Sequence, residues 1–507
     1  MKSCFRHLSI LFLCLCLLSG SLLATFATED SEAVQAEDLT CAKLFAYSNG
    51  FPGVQCLYDG VLDWGLKTGS DASLTLIADK GIGSLYIRFG IPYGKYSIID
   101  TDTNTVKEWN QKYLHDFIDL VELFGYAPKS VRIAFGAKTA TIYEMSAFSE
   151  GEVPDYVQRW EDPKDGETDL VLFSAHCDDE QLFFAGVLPY YAGQLNYQVQ
   201  LVYMTHHIDS NGYVRVREAL DGLWEAGVHT YPVWGDYYDY PVYNIGDAYR
   251  YFNAYGWPEE HLVGFVVEQL RRFKPTVALG HDFDGEYGHG QHMVWADVLA
   301  KAIELTNDPT QFPASAETYG TWDVPKTYFH LYKENPIVMN WDIPLDAFDG
   351  RTAWDISAHY AYPKHASQIE DLEVADWYFV DLETAAEITI YSPCNYGLYR
   401  TTVGEDVQKN DFFENTTTYA ETNGTAGQKP VTEPEATEPV PEETTAPTEP
   451  VPTEPIAETQ PEPEIAPEET ESGAVIYPIW PALVIGAAVM IAGISLIFAR
   501  KEKILEK

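Results

Sequence analysis

Two short segments, Asp169-Leu170-Val171-Leu172-Phe173 and Thr276-Val277-Ala278-Leu279-Gly280, constrain the fold of this chain most. Each is apolar along nearly its whole length and partly β-branched, the texture of a strand covered on both faces. Alternating strand and helix patterns follow from Thr168 onward, which predicts a mostly parallel sheet with helices on both faces. Each segment also runs directly into a polar cluster. After the first comes Ser174-Ala175-His176-Cys177-Asp178-Asp179-Glu180; after the second, His281-Asp282-Phe283-Asp284-Gly285-Glu286-Tyr287-Gly288-His289-Gly290-Gln291-His292. Both clusters fall in loops at the carboxyl ends of strands, where open α/β sheets bind ligands.

One imidazole beside closely spaced carboxylates suits a hard or borderline cation such as zinc. Alone, the first cluster reads equally well as a solvated acidic turn capping a helix from Gln181 through Leu182, Phe183, Phe184 and Val187. The second cluster tips the balance. His289 and His292 stand three residues apart at the start of a helix through Val294, Val298 and Leu299, on one side of a helical turn. One of them can then bind a metal while the other faces a substrate.

These motifs resemble the PIG-L/LmbE-like family of N-acetylglucosamine deacetylases. The family pattern is His-Pro-Asp-Asp-Glu after the first strand, a central Arg-x-x-Glu helix and a late His-x-x-His. This chain has His176-Cys177-Asp178-Asp179-Glu180, Arg215-Val216-Arg217-Glu218 and His289-Gly290-Gln291-His292 in that order. The resemblance covers Asp169 to Leu305, and more loosely extends to Asn415 through His365-Ala366-Ser367-Gln368 and Tyr396-Gly397-Leu398-Tyr399-Arg400. It departs from the family at Cys177, where proline is usual. The resemblance implies a Rossmann-like domain over 165–415 holding one divalent metal, Zn2+, on His176, Asp179 and His292. It implies Asp178 as general base and His289 as the group that polarises the oxyanion or protonates the leaving nitrogen. Arg215 occupies the arginine position of the helix motif and is expected to touch substrate hydroxyls. Glu180 supports its loop or the next helix, Glu218 orients the arginines or packs, Asp239 steadies His289, and His206 and His207 lie behind the site or on the surface.

The remaining sequence sets this domain in a longer plan. Residues 40–162 contain period-two runs at Ser73–Ile77, Ser84–Phe89, Ser130–Phe135 and Thr141–Met145 separated by turns, which predicts a smaller antiparallel β-sandwich. Its last strand with Pro154, Val157 and Trp160 resembles a galactose-binding-like module, a fold that serves as readily to shield a cleft as to bind sugar. Residues 1–27 read as a signal peptide: Lys2 and Arg6, an apolar centre, then Thr25-Phe26-Ala27. Residues 420–473 are dominated by Thr, Glu and Pro and read as a disordered stalk. An uncharged stretch over 476–499, followed by a basic tail at 500–507, reads as one transmembrane helix with its tail in the cytoplasm. Outside the leader the cysteines are Cys41, Cys56, Cys177 and Cys394, with no Cys-x-x-Cys; Cys41 and Cys56 are candidates for pairing outside the cell. The formal net charge of −45 argues against nucleic acid as a partner.

The expectation is therefore a zinc-dependent deacetylase of an N-acetylated carbohydrate, anchored in the cell membrane by a single span with its catalytic region outside. An amidase acting on another sugar-linked amide, or a glycan-binding adhesin with an inactive enzyme domain, are the alternatives. The complete set His176, Asp178, Asp179 and His292 weighs against the inactive form.

Overall fold

The computed structural model describes residues 34–40, 44–48, 54–61, 65–208, 212–368 and 382–430. The expected leader at 1–27, Cys41, the stalk beyond residue 430, the membrane span at 476–499 and the tail at 500–507 lie outside the described residues. Among the described residues no helix is long and apolar enough to cross a membrane.

The first half is built from nine strands: β1 (Leu44–Ser48), β2 (Leu66–Lys67), β3 (Ser73–Ile77), β4 (Ser84–Phe89), β5 (Lys95–Asp100), β6 (Thr105–Asn110), β7 (His115–Asp119), β8 (Ser130–Ala134) and β9 (Thr141–Phe148). They form two antiparallel sheets, ordered β1-β3-β8-β5-β6 and β2-β9-β4-β7. Period-two alternation turns Leu74, Leu76, Ile98, Val131 and Ile133 of one sheet toward Leu85, Ile87, Phe89, Ile142 and Met145 of the other, in one core. The four period-two runs are β3, β4, β8 and β9. Strands β5 to β7 carry charged and polar residues that hide their alternation.

The second half adds β10 (Leu170–Ser174), β11 (Val199–Thr205), β12 (Val233–Tyr237), β13 (Val277–Gly280), β14 (Lys326–His330), β15 (Pro336–Val338) and β16 (Asn395–Thr401). The sheet order is β12-β11-β10-β13-β14-β16-β15. The first five of these strands are mutually parallel, and β16 and β15 close one edge antiparallel. Every residue of β10, β11, β13 and β14 is buried, which explains the apolar runs of β10 and β13. The chain moves outward from β10 to β11 and β12, then returns to β13 on the other side of β10. That reversal leaves a crevice between the carboxyl ends of β10 and β13, at the topological switch point. Both polar clusters empty into it.

Two local expectations are corrected. The helix expected from Gln181 through Val187 is a single turn, Asp179–Leu182, with a π-helical turn later at Pro189–Gln194. Gly186 interrupts it at φ +89°, and a Cβ there would lie 2.4 Å from the Trp341 ring. At the other end, residues 419–430 pack on the domain although 420 onward reads as stalk. Tyr419 N–H donates to Asp169 Oδ1, and Gly427 N–H donates to Leu195 O at 2.7 Å.

The two halves of the described chain belong to one compact unit. The helix Val214–Glu225 lies between them. On its sandwich side, Asp221 pairs with Arg88 and accepts from Gln158, while Arg217 sits 4.0 Å from the centre of the Tyr143 ring. Arg215, two residues away, points instead into the crevice.

Candidate metal centre

The loop after β10 and the first turn of the helix Gly290–Leu305 bring three donor atoms together. His176 Nδ1 lies 3.2 Å from Asp179 Oδ2 and 3.1 Å from His292 Nε2, and the last two are 3.4 Å apart. A tetrahedral zinc with bonds of ~2.0–2.1 Å has ligand–ligand edges of about 3.3–3.4 Å, so this triangle has the size of one tetrahedral face. All three residues are buried. His289 stands beside them, its ring centroid 4.8 Å from His176 and 4.7 Å from His292, with a buried Nδ1 that has no hydrogen-bond partner.

Hydrogen bonds fix which nitrogen of each ring is available. His176 Nε2 faces two acceptors, Gln291 Oε1 at 2.9 Å and Asp239 Oδ1 at 3.3 Å, so it carries hydrogen and leaves Nδ1 for the metal. Gln291 is oriented in turn, because its Nε2 donates to Tyr238 O at 2.9 Å. His292 Nδ1 lies 2.7 Å from Glu286 Oε2, which turns Nε2 toward the metal position. His281 Nε2 is also near, 3.4 Å from Asp179 Oδ2, but it accepts the Ala175 N–H at 2.9 Å. Its lone pair is spent, which favours His176 over His281 as the third ligand. The donor set fits zinc.

Glu286 is the feature that sequence reading missed. It is fully buried and contacts three imidazoles: His281 Nδ1 at 2.9 Å, His292 Nδ1 at 2.7 Å and His330 Nδ1 at 2.6 Å. His330 Nε2 also faces an acceptor, Ser392 O at 2.9 Å, so both nitrogens of that ring stand against oxygen atoms. Burial raises the Glu286 carboxyl, but His281 and the hydrogen bonds from the three rings outweigh it and hold it well below the usual range. In sequence Glu286 lies in a glycine-rich acidic loop, and His330 comes from the end of β14, 44 residues away. His330 ends the strand Lys326–His330, whose Lys, Thr and Tyr hide it among ordinary polar sequence.

The two adjacent aspartates are held at opposite proton affinities. Burial opposes the charge on Asp179, but His292 and His176 outweigh it and keep the carboxyl ionised far below its ordinary range. Burial pushes Asp178 up to about 6, against the pull of Arg215 and with the repulsion of Asp179. Asp178 also has φ +147° and ψ −28°, a region L-residues rarely occupy, at a cost of about 1–3 kcal/mol. Its N–H donates to Glu180 Oε2 at 3.0 Å, which is how Glu180 supports the loop.

Arg215 Nη2 lies 3.2 Å from Asp178 Oδ2 and donates to Cys177 O at 3.1 Å. Asp239 bridges Arg215 (3.6 Å) and His176 (3.3 Å); the expected contact with His289 is replaced by these two. Glu218 accepts from Ser367 N at 2.9 Å and from its hydroxyl at 2.6 Å, so it packs and leaves the arginines alone. His207 is buried and accepts the Cys177 N–H at 3.3 Å, whereas His206 Nδ1 accepts from Ile208 N–H at 2.9 Å. The Cys177 thiol turns toward Arg215 O at 3.6 Å, and burial pushes its pKa well up.

Fold and site together define an α/β protein with a candidate metal centre at the switch point of its sheet. Residues 171–303 match the family described as PIG-L, GlcNAc-PI de-N-acetylase. Two curated relatives named 1D-myo-inositol 2-acetamido-2-deoxy-alpha-D-glucopyranoside deacetylase are similar. The one from Streptomyces avermitilis is 28% identical over 181 residues, covering 32% of this chain and 60% of that protein. The one from Mycobacterium leprae is 27% identical over 192 residues, covering 33% and 61%. The chain thus spans about 60% of the length of the curated relatives it matches. Among solved structures, N,N'-diacetylchitobiose deacetylase from Pyrococcus horikoshii is similar at 15% identity, covering 46% of this chain and 83% of that one, with a TM-score of 0.33.

Proposed function

We propose that this chain is a zinc-dependent deacetylase that removes the N-acetyl group from an N-acetylglucosamine-containing glycan or glycoconjugate at the cell surface. The observation that carries this reading is the convergence of His176 Nδ1, Asp179 Oδ2 and His292 Nε2 within 3.1–3.4 Å of one another. The names of the curated relatives support the same chemistry. Bound zinc supplies a Lewis acid and lowers the pKa of water to near neutrality. Asp178 takes the proton of the attacking water, burial raising its proton affinity enough to accept it while a value of about 6 still lets it pass the proton on. The water oxygen bonds to the amide carbon, the C–N bond breaks, and the proton passes to the departing nitrogen, giving acetate and a free amine. His289, with its unpartnered Nδ1, donates to the carbonyl oxygen or to that nitrogen. Arg215 holds Asp178 in place and offers its remaining N–H groups to sugar hydroxyls.

The cell-surface location rests on the sequence, through the leader at 1–27 and the apolar stretch at 476–499. The test is acetate release by the zinc-loaded protein over a panel of N-acetylated glycans. Asp178→Asn should keep stoichiometric zinc and lose about two to four orders of magnitude in turnover. No acetate from any N-acetylglucosamine-bearing substrate would overturn the reading.

A further inference from the structure

Nine of the twenty-one residues from Tyr237 to Trp257 are aromatic. Core packing accounts for part of this: Tyr237 and Phe252 are buried. It does not account for Tyr238, Tyr240, Tyr243 and Tyr255, which are 44%, 46%, 67% and 53% exposed. Single exposed tyrosines are ordinary, but four from one loop and the end of the helix after it make a patch.

The patch is continuous with the metal centre. Asp239, between Tyr238 and Tyr240, reaches His176 and Arg215. Gln291, which accepts from His176, also donates to Tyr238 O at 2.9 Å and accepts the Tyr240 N–H at 3.4 Å. Gly290 N–H donates to Val242 O at 2.6 Å, where a Cβ on Gly290 would strike Asn244 O. The loop is therefore pinned to the first turn of the helix that carries His292. The Tyr243 ring lies 6.3 Å from His289. Tyr240 lies flat on Tyr251, centroids 4.3 Å apart at 9°, and Tyr255 stacks on Trp257 at 19°. Rings held in this way lose little freedom when a ligand covers them.

We propose that Tyr238, Tyr240, Tyr243 and Tyr255 bind neighbouring sugar units of a neutral glycan chain whose N-acetylated unit sits at the metal centre; this rests on the deacetylase reading. A flat ring with a polar tip matches a sugar's C–H face bordered by hydroxyls. Nucleic acid would also stack, but a chain with a net charge of −45 repels it. The substrate is then an oligomer or polymer, and reactivity rises with its length.

The test uses the full zinc-loaded chain and β-linked N-acetylglucosamine oligomers from one unit to six. Wild type should gain about tenfold or more in kcat/KM from the shortest to the longest. The double variant Tyr240→Ala/Tyr243→Ala should flatten that rise, and Tyr240→Phe should keep it. Oligomer binding to Asp178→Asn, followed by calorimetry, separates the two readings. Length-dependent affinity that the double substitution abolishes supports the platform even if no acetate is ever released. Deacetylation without length dependence, or a rise that survives the double variant, overturns it. So does a wild-type dimer that the double variant dissociates while length dependence is unchanged, which would give the patch to a second copy of the chain.

Discussion

Glu286 Oε2 lies 2.7 Å from His292 Nδ1, so a carboxylate that touches no substrate decides which nitrogen of His292 faces the metal. The same carboxylate holds His281 and His330. Replacing it by an amide removes the charge that three imidazoles share. Glu286→Gln should weaken zinc binding by about 10–100-fold, read by competition with a chromophoric chelator. The metal-free variant should also melt at lower temperature, because the amide cannot satisfy three buried imidazole nitrogens as the carboxylate does.

Asp116 gives the sandwich a stability that falls as pH rises. It is buried and accepts from Tyr96 O–H at 2.7 Å and from Trp109 Nε1–H at 3.0 Å. Burial nonetheless outweighs these bonds and raises its pKa to about 6. The folded value exceeds the unfolded one, near 3.9, so between the two pH values the folded state holds the extra proton and stability declines with rising pH. The decline should begin near pH 4 and be complete just above pH 6, amounting to at most about 3 kcal/mol. Asp116→Asn should remove this component and stabilise the protein at pH 7, measured by denaturant unfolding at pH 5 and pH 7.

Arg88 supplies the charge that keeps Asp221 ionised inside the contact between the halves. Burial raises the Asp221 carboxyl, but Arg88, His115 and the hydrogen bonds from Gln158 and Arg88 together outweigh it and the net shift is downward. Removing one partner of a buried pair costs about 3–5 kcal/mol. Arg88→Ala should therefore destabilise by that order, and the double variant with Asp221→Asn should recover part of it. An additive double-variant cycle would show that the two residues do not interact.

Cys177 stands where proline is usual, and proline there would ordinarily be expected to stabilise through the unfolded chain. Here the Cys177 N–H donates to His207, and proline has no such donor. Cys177→Pro should cost about 1 kcal/mol of stability and leave zinc content unchanged. The buried thiol, turned toward Arg215 O, should resist alkylation in the folded protein. Selective inhibition by a thiol reagent would contradict this.

What could be read in advance was whatever is local. His176, Asp178, Asp179, His289 and His292 stand in short runs beside apolar strands, so residue type and spacing pointed to one polar cluster, while the roles expected of each came from the family resemblance. Arg215, preferred for its place in the motif, faces Asp178 and Asp239, whereas Arg217 faces Tyr143, because two residues along a helix point to different sides. Glu286 and His330 could not be paired in this way, since only the parallel alignment of β13 with β14 brings them together. Nothing local marks Gly186 as the break in the helix expected from Gln181 through Val187, because the Trp341 ring that occupies the space beside it is distant in sequence. Strands β5 to β7 escaped because Lys107, Glu108 and Asp116 obscure the apolar alternation.

The helix Val214–Glu225 has one consequence for how such a protein can be inherited or cut. Its crevice side presents Arg215, while its other side is committed to Arg88 and Tyr143 of the sandwich. An α/β half released by truncation before Asp169 would keep His176, Asp179 and His292, yet leave Asp221 and Arg217 facing water. The sandwich is thus packed onto the back of the helix that presents Arg215, and recombination that exchanged it would have to bring matching partners for both residues.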